Sequence, residues 1–176
     1  AVYHPWFNET DIPVILSVGS LEARKDFFTL IKAFSRVRTE KKCRLVILGQ
    51  GRQRANLLQL AEKLGVINDL DIPGFKSNPY SYMKNSDLFV LSSRREGASA
   101  VIVEALACGT PVVSTDCPFG PSETLQNGRY GKLVPIGDHA SMAEAISTTL
   151  ANPPSGDLLR KAVEKNRTDL SAEKYL

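Results

Sequence analysis

The 176-residue chain has 43% hydrophobic and 23% charged residues, close to the soluble globular norm, and a length that suits one domain with a substantial core. Its net charge of +3 comes from scattered rather than striped basic residues, which argues against a nucleic-acid-binding footprint and leaves room for an anionic ligand or a membrane surface. No apolar run approaches a membrane span, no signal-peptide pattern is visible, and three cysteines without a CxxC pair (Cys43, Cys108 and Cys117) read as reduced, structural thiols.

The opening "AVYHPWFNETDIP" lacks an initiator methionine and any clear period, so residues 1–13 read as a linker from a preceding domain of a longer protein. "VILSVG" (14–19) is a short apolar run ending in glycine, a first strand. Asp26 can cap the helix that follows, in which Phe27, Leu30, Ile31, Phe34 and Val37 recur at helical spacing. "RLVILGQG" (44–51) is a second strand. Leu57, Leu60, Ala61 and Leu64 then mark an amphipathic helix stopped by Gly65. "LDIPGF" (70–75) is a third strand, followed by a short helix around 80–85. "DLFVLSS" (87–93) is a fourth strand, and "SAVIVEALACG" (99–109) a helix with Ser99 as its expected cap. "TPVVST" (110–115) and "GKLVP" (131–135) are the fifth and sixth strands, with a short helix at 120–126 between them. Asp138 caps a helix whose Ala143, Ile146 and Leu150 face inward; "NPPSG" breaks it before a polar terminal helix, so 152–176 form a separate tail.

This alternation predicts an α/β fold over residues 14–151: a three-layer, Rossmann-like domain with a six-stranded parallel sheet in the order 3-2-1-4-5-6 and helices on both faces. In that order the first and fourth strands are neighbours, and ligands bind beyond the carboxyl ends of strands at such a switch point. The loops there are "SLEARKD" and "SSRREGAS", so Arg24 and Lys25 should face Glu96 and Gly97 across a crevice.

Two glutamates separated by seven residues stand out. Glu104 has Ala100, Val101, Ala107 and Cys108 as its helical neighbours, so it lies on no solvated face. A carboxylate in apolar surroundings needs polar partners. The paired hydroxyls of a ribose would serve; an arginine from elsewhere, or partial exposure, is the plain alternative. Gly97, Ala98, Ser99 and Ala100 are small and open a helix, whose free amides favour an anion. Lys25 would dominate the holding of a phosphate, since one cation at about 4 Å contributes about 4 kcal/mol at an effective dielectric constant of 20, against about 0.3–1 kcal/mol for an exposed helix end. Glu96 would accept hydroxyl hydrogens from a sugar beyond the phosphates, or else pair with Arg94 or Arg95 on the surface.

"EGASAVIVEALACGTPVV" resembles the signature of the retaining nucleotide-sugar glycosyltransferases called group 1 or family four. "SVGSLEARKDFFTLIKAF", "LVILGQG", "DLFVLSS", "STDCPFGPSE" and "GKLVPIGD" match the family's order and spacing from Val14 to about Leu150. The resemblance implies the carboxyl-terminal half of a two-domain GT-B enzyme, which binds the donor, a UDP-sugar or GDP-sugar, while the amino-terminal half binds a glycan or lipid-linked acceptor. It implies Glu104 on the donor ribose, Glu96 at the transferred hexose, the amides of 97–100 near sugar and diphosphate, and Lys25 on the diphosphate as a catalytic group. It also implies Phe75 and Lys76 at the base. Ser20 stands where the family often has an arginine, and Arg24 is the candidate substitute. The implied chemistry needs no metal or other cofactor, and this portion alone should bind donor without transferring sugar. A cytoplasmic setting with peripheral membrane contact follows from the acceptor class. The alternative is a stand-alone nucleotide-binding or interaction module. Two rivals fail on placement. "GQGRQR" (49–54) lacks the third glycine of a dinucleotide fingerprint, and "DLD" (69–71) enters the third strand at its amino end. His4 and His139 are isolated and read as surface residues.

Overall fold

The computed structural model describes residues 2, 4–9 and 11–173, with side chains through Glu164. Six parallel strands, β1 (Val14–Val18), β2 (Arg44–Leu48), β3 (Leu70–Gly74), β4 (Leu88–Leu91), β5 (Val112–Thr115) and β6 (Lys132–Val134), form one sheet in the order β3-β2-β1-β4-β5-β6. That is the order expected from the alternation of elements. It sets β1 beside β4, with Ile15 opposite Leu88 and Leu16 opposite Phe89.

Seven helices surround the sheet among the described residues: α1 (Phe27–Glu40), α2 (Arg54–Lys63), α3 (Pro79–Lys84), α4 (Ala100–Ala107), α5 (Pro121–Thr124), α6 (His139–Ala151) and α7 (Gly156–Glu173). Successive strand residues point to opposite faces of a sheet. Ile15, Leu45, Ile47, Leu88 and Val90 accordingly meet Phe34 of α1, Leu57 of α2 and Ile146 of α6 in one core. Leu16, Val46, Leu48, Phe89 and Leu91 meet Met83 of α3, Ile102 and Leu106 of α4 and Leu159 of α7 in the other. Because both faces are covered, the strands read as continuous apolar runs rather than alternating ones. Asp26 and Asp138 cap α1 and α6 as expected, accepting from the amides of Thr29 and Ser141. The tail helix α7 is less polar in role than its composition indicates: Leu159, Ala162 and Val163 are buried against the sheet's second face.

The amino-terminal segment holds a short 3-10 helix, Pro5–Asn8. His4, expected at the surface, is buried: Nε2 lies 2.8 Å from Asp71 Oδ2, and Nδ1 accepts from the Trp6 amide at 3.3 Å. The Arg44 guanidinium sits 5.1 Å from the Trp6 ring centroid, and Trp6 and Phe7 pack on the second core. All three cysteines are free thiols; burial pushes the Cys43 thiol up to about 11, which suits a packing role.

The carboxyl ends of β1 and β2 approach closely. A Cβ at Gly49 would stand 1.8 Å from the Gly19 carbonyl oxygen, whereas one at Gly97 would meet nothing within 4 Å. Gly49→Ala should therefore cost about 1–3 kcal/mol or more by forcing these backbones apart. Gly97→Ala should stay within about 0.5 kcal/mol of the parent. Urea unfolding measures both, and equal midpoints for the two variants would contradict this packing.

Candidate nucleotide-sugar site at the switch point

After β1 the chain turns through a 3-10 turn (Ala23–Lys25) to α1 on one face of the sheet; after β4 it runs to α4 on the other. The crevice between these departures is where Lys25 and Glu96 meet. Lys25 Nζ lies 2.5 Å from Glu96 Oε1, and each side chain is only 9% exposed. Glu96 Oε1 also accepts from Ser93 Oγ at 2.5 Å. The expected confrontation across the crevice is thus a buried ion pair, and the alternative of Glu96 paired with Arg94 or Arg95 is not what forms. The Lys25 side chain passes over Gly19, where an added Cβ would stand 2.9 Å from its Cε, so the strand-ending glycine keeps its path open.

Backbone and side-chain bonds stitch the two loops together around this pair. The Arg94 amide donates to the Arg24 carbonyl at 2.8 Å, and Ser92 Oγ donates to the Lys25 carbonyl at 2.8 Å. Thr115 Oγ1 donates to the Ser93 carbonyl at 2.6 Å, tying in the end of β5. Arg94 Nε lies 3.0 Å from Asp26 Oδ2. Asp26 itself holds a left-handed backbone (φ 47°) and caps α1. Arg24 is exposed and reaches back to Ser20 Oγ at 3.4 Å, so the guanidinium and the Ser20 hydroxyl lie together at the rim.

Glu104 differs from its expected setting in one respect. It is half-buried, and it has a companion: Tyr80 of α3, whose hydroxyl lies 3.3 Å from Glu104 Oε1. The carboxylate charge beside it, and then the hydrogen bond, raise the Tyr80 phenol above its ordinary value. Among the described residues no arginine pairs with Glu104. The period of α4 could not reveal Tyr80, because the contact joins separate helices 24 residues apart in the chain.

Ser99 corrects a second expectation. It holds a left-handed backbone (φ 46°) and its hydroxyl makes no cap bond. The hydroxyl is buried (1% residue exposure) and has no partner among the described residues. Gly97, Ala98 and Ala100 are exposed around it. Phe75 is exposed after β3, and Lys76 is half-buried; among the described residues neither forms a hydrogen bond or ion pair with the crevice groups.

The "DLD" carboxylates lie away from the crevice and are engaged in packing the fold. Asp69 pairs with Arg38 at 2.7 Å, and Asp71 with His4. Among the described residues no three His, Cys, Asp or Glu side chains gather as a metal-binding group.

Breaking a buried ion pair on one side leaves a stranded charge, which costs about 3–5 kcal/mol. Lys25→Met should therefore destabilise the chain more than the double variant Lys25→Met/Glu96→Gln does. Urea unfolding of parent, single and double variants checks the order. A double variant less stable than the single one would mean that the two groups act independently.

Comparison with known proteins agrees with this architecture. The family described as Glycosyl transferases group 1 matches residues 5–169. The chain is 38% identical over 161 residues to the N-acetylgalactosamine-N,N'-diacetylbacillosaminyl-diphospho-undecaprenol 4-alpha-N-acetylgalactosaminyltransferase of Campylobacter jejuni, covering 92% of this chain and 42% of that protein. It is 39% identical over 142 residues to the lipopolysaccharide core biosynthesis glycosyltransferase LpsE of Rhizobium meliloti, covering 81% and 41%. Among solved structures, the apo lipopolysaccharide outer core galactosyltransferase WaaB superposes with a TM-score of 0.80 at 25% identity, over 89% of this chain and 46% of that one. Anabaena HepE, solved with UDP and glucose, shares the fold with a TM-score of 0.78 at 23% identity, over 94% and 49%. The chain spans about two-fifths of the length of these curated relatives. With the signature from Glu96 to Glu104 standing at the switch point of a matching Rossmann-like sheet, the chain belongs to the glycosyl transferases group 1 family.

Proposed function

We propose that this chain is the donor-binding half of a retaining glycosyltransferase that moves a hexose from a nucleoside diphosphate sugar, UDP-linked or GDP-linked, to a hydroxyl of a glycan or glycolipid. The observation that carries the reading is the buried Lys25–Glu96 pair at the switch point, at the mouth of α4. An ammonium group has three donors. One is engaged by Glu96, and the others can face a diphosphate. Gly97, where an added Cβ meets nothing within 4 Å, borders open space beside the first amides of α4. Those amides and the helix dipole would orient the diphosphate, while Lys25 supplies most of the attraction. Arg24, with Ser20 at the rim, is the second phosphate contact, and Glu104 takes the ribose hydroxyls. Phe75 and Lys76, which follow β3, would border the base.

In transfer, the bond between the anomeric carbon and the diphosphate oxygen breaks, and a bond from that carbon to the acceptor oxygen forms. The diphosphate leaves with the electron pair, and the acceptor's proton passes to it or to solvent. Lys25 offsets the charge that develops on the leaving oxygen, a stabilisation strongest in the transition state. Glu96 accepts from sugar hydroxyls and holds the hexose in place. Retention of configuration rests on the family resemblance of the two-glutamate motif. No metal is needed in this scheme. The acceptor class rests on the printed activities of the relatives, one acting on a diphospho-undecaprenol-linked substrate and one in lipopolysaccharide core synthesis. Acceptor binding falls to the part of the relatives that this chain does not span, so the chain alone should bind donor without transferring sugar. The same acceptor class would place the enzyme in the cytoplasm, at the membrane face; no helix among the described residues is long and apolar enough to cross a bilayer.

Lys25→Ala should weaken UDP or GDP binding about 10- to 100-fold, the range for a lost hydrogen bond to a charged group, and barely change binding of the parent nucleoside. An equal loss for nucleotide and nucleoside would remove Lys25 from the phosphate site. Glu104→Ala should weaken binding of the ribonucleotide while leaving the urea midpoint close to the parent's. Unchanged affinity would end its ribose role. Calorimetric titration reads both.

A further inference from the structure

The two glutamates of the motif are held in the same way. Glu96 has Oε1 engaged by Lys25 and Ser93, and Glu104 has Oε1 engaged by Tyr80. In each case the second oxygen has no hydrogen-bond partner among the described residues. Two donors at 2.5 Å fix Glu96 in a buried setting. Glu104 is half-buried on a helix whose neighbouring side chains include only one donor, the weak Cys108 thiol, which is directed at the Tyr80 carbonyl, so without Tyr80 it would be free to change rotamer. At 3.3 Å the tyrosine contact is long for an O–H···O bond, so by itself it holds Glu104 loosely.

Tyr80 is itself placed by structure. It is the second residue of α3, which Pro79 opens and Asn78 caps by accepting from the Ser81 amide. Its carbonyl lies 3.8 Å from Cys108 Sγ, which follows the end of α4, and Thr110 Oγ1 donates to the Met83 carbonyl at 2.7 Å. These contacts dock α3 on the segment carrying Glu104. Tyr80 remains 51% exposed, so its side chain is not part of the core.

We propose that Tyr80 is a positioning residue for Glu104: its hydroxyl holds Oε1 and turns Oε2 toward the hydroxyls of the donor ribose, so that Tyr80 sets the preference for ribonucleotides. This rests on the donor-site reading above. When the ribose engages Oε2, the carboxylate is fixed at both oxygens and the tyrosine contact shortens. Tyr80 keeps its proton at neutral pH, because the adjacent carboxylate opposes a phenolate, and so remains a donor throughout the working range.

The test is calorimetric titration of the full-length protein, its Tyr80→Phe variant, its Glu104→Gln variant and the double variant. The ligands are UDP, GDP and their 2′,3′-dideoxy counterparts. Tyr80→Phe removes only an oxygen at an exposed ring, so the fold is retained. The expected result is a loss of about threefold to tenfold for the ribonucleotide that the parent binds, with no loss for its dideoxy counterpart. The double variant should lose no more than Glu104→Gln alone. Unchanged ribonucleotide affinity in Tyr80→Phe, or an equal loss for both sugar forms, overturns the assignment while leaving the donor site intact. A parent that binds neither UDP nor GDP overturns the donor-site reading, and this assignment falls with it.

Discussion

The ion pair between Lys25 and Glu96 is the contact on which the rest of the site depends. Two charges 2.5 Å apart in a largely buried crevice are costly to desolvate, and a buried pair of this kind is weak evidence of a gain in stability. Its value lies in geometry. It joins the loop after β1 to the loop after β4, and only the 3-2-1-4 order makes those loops neighbours. Around it, Ser92, Ser93, Arg94 and Thr115 use backbone carbonyls and carboxylates from three strand ends to hold the loops in register. The ammonium group is thereby held at the end of the sheet from which the chain leaves β4 toward α4. On the donor-site reading proposed above, such an arrangement would be preorganised for an anion, with little reorganisation left for the moment of reaction.

Much of this was legible in the chain because it depends on periods and order. Apolar runs of four to six residues alternating with helical stripes gave the parallel sheet, and the strand order followed from it. The confrontation of Lys25 with Glu96 followed in turn from the strand order, although 71 residues separate them in sequence. The Ser93–Glu96 contact left a local signal, a hydroxyl three residues before a carboxylate, that composition alone did not single out.

What was not legible has a common cause. Tyr80 meets Glu104 and His4 meets Asp71 across separate elements whose relative rotation no period encodes. The amino-terminal segment looked irregular because its order comes from tertiary contacts, an aromatic pair on the second core and a cation over Trp6, rather than from a repeat. Ser99 looked like a cap by residue type, yet its hydroxyl is buried without capping the helix. In each case the partner was decided by the direction of a side chain, which no period of the sequence carries. Direction is also what separates fold from function here: the sheet is shared with many glycosyltransferase structures, while the side chains at its switch point decide what is bound.

The measurement that bears most directly on the central claim is calorimetric titration of this chain with UDP, GDP and ADP, each with added magnesium and with chelator, repeated on the full-length protein. If Lys25 and the start of α4 form a preorganised diphosphate site, one nucleotide binds saturably, and its affinity is the same with magnesium and with chelator. If none binds in either protein, or if binding vanishes with chelator, the switch-point crevice is not a metal-independent donor site and the account fails at its centre.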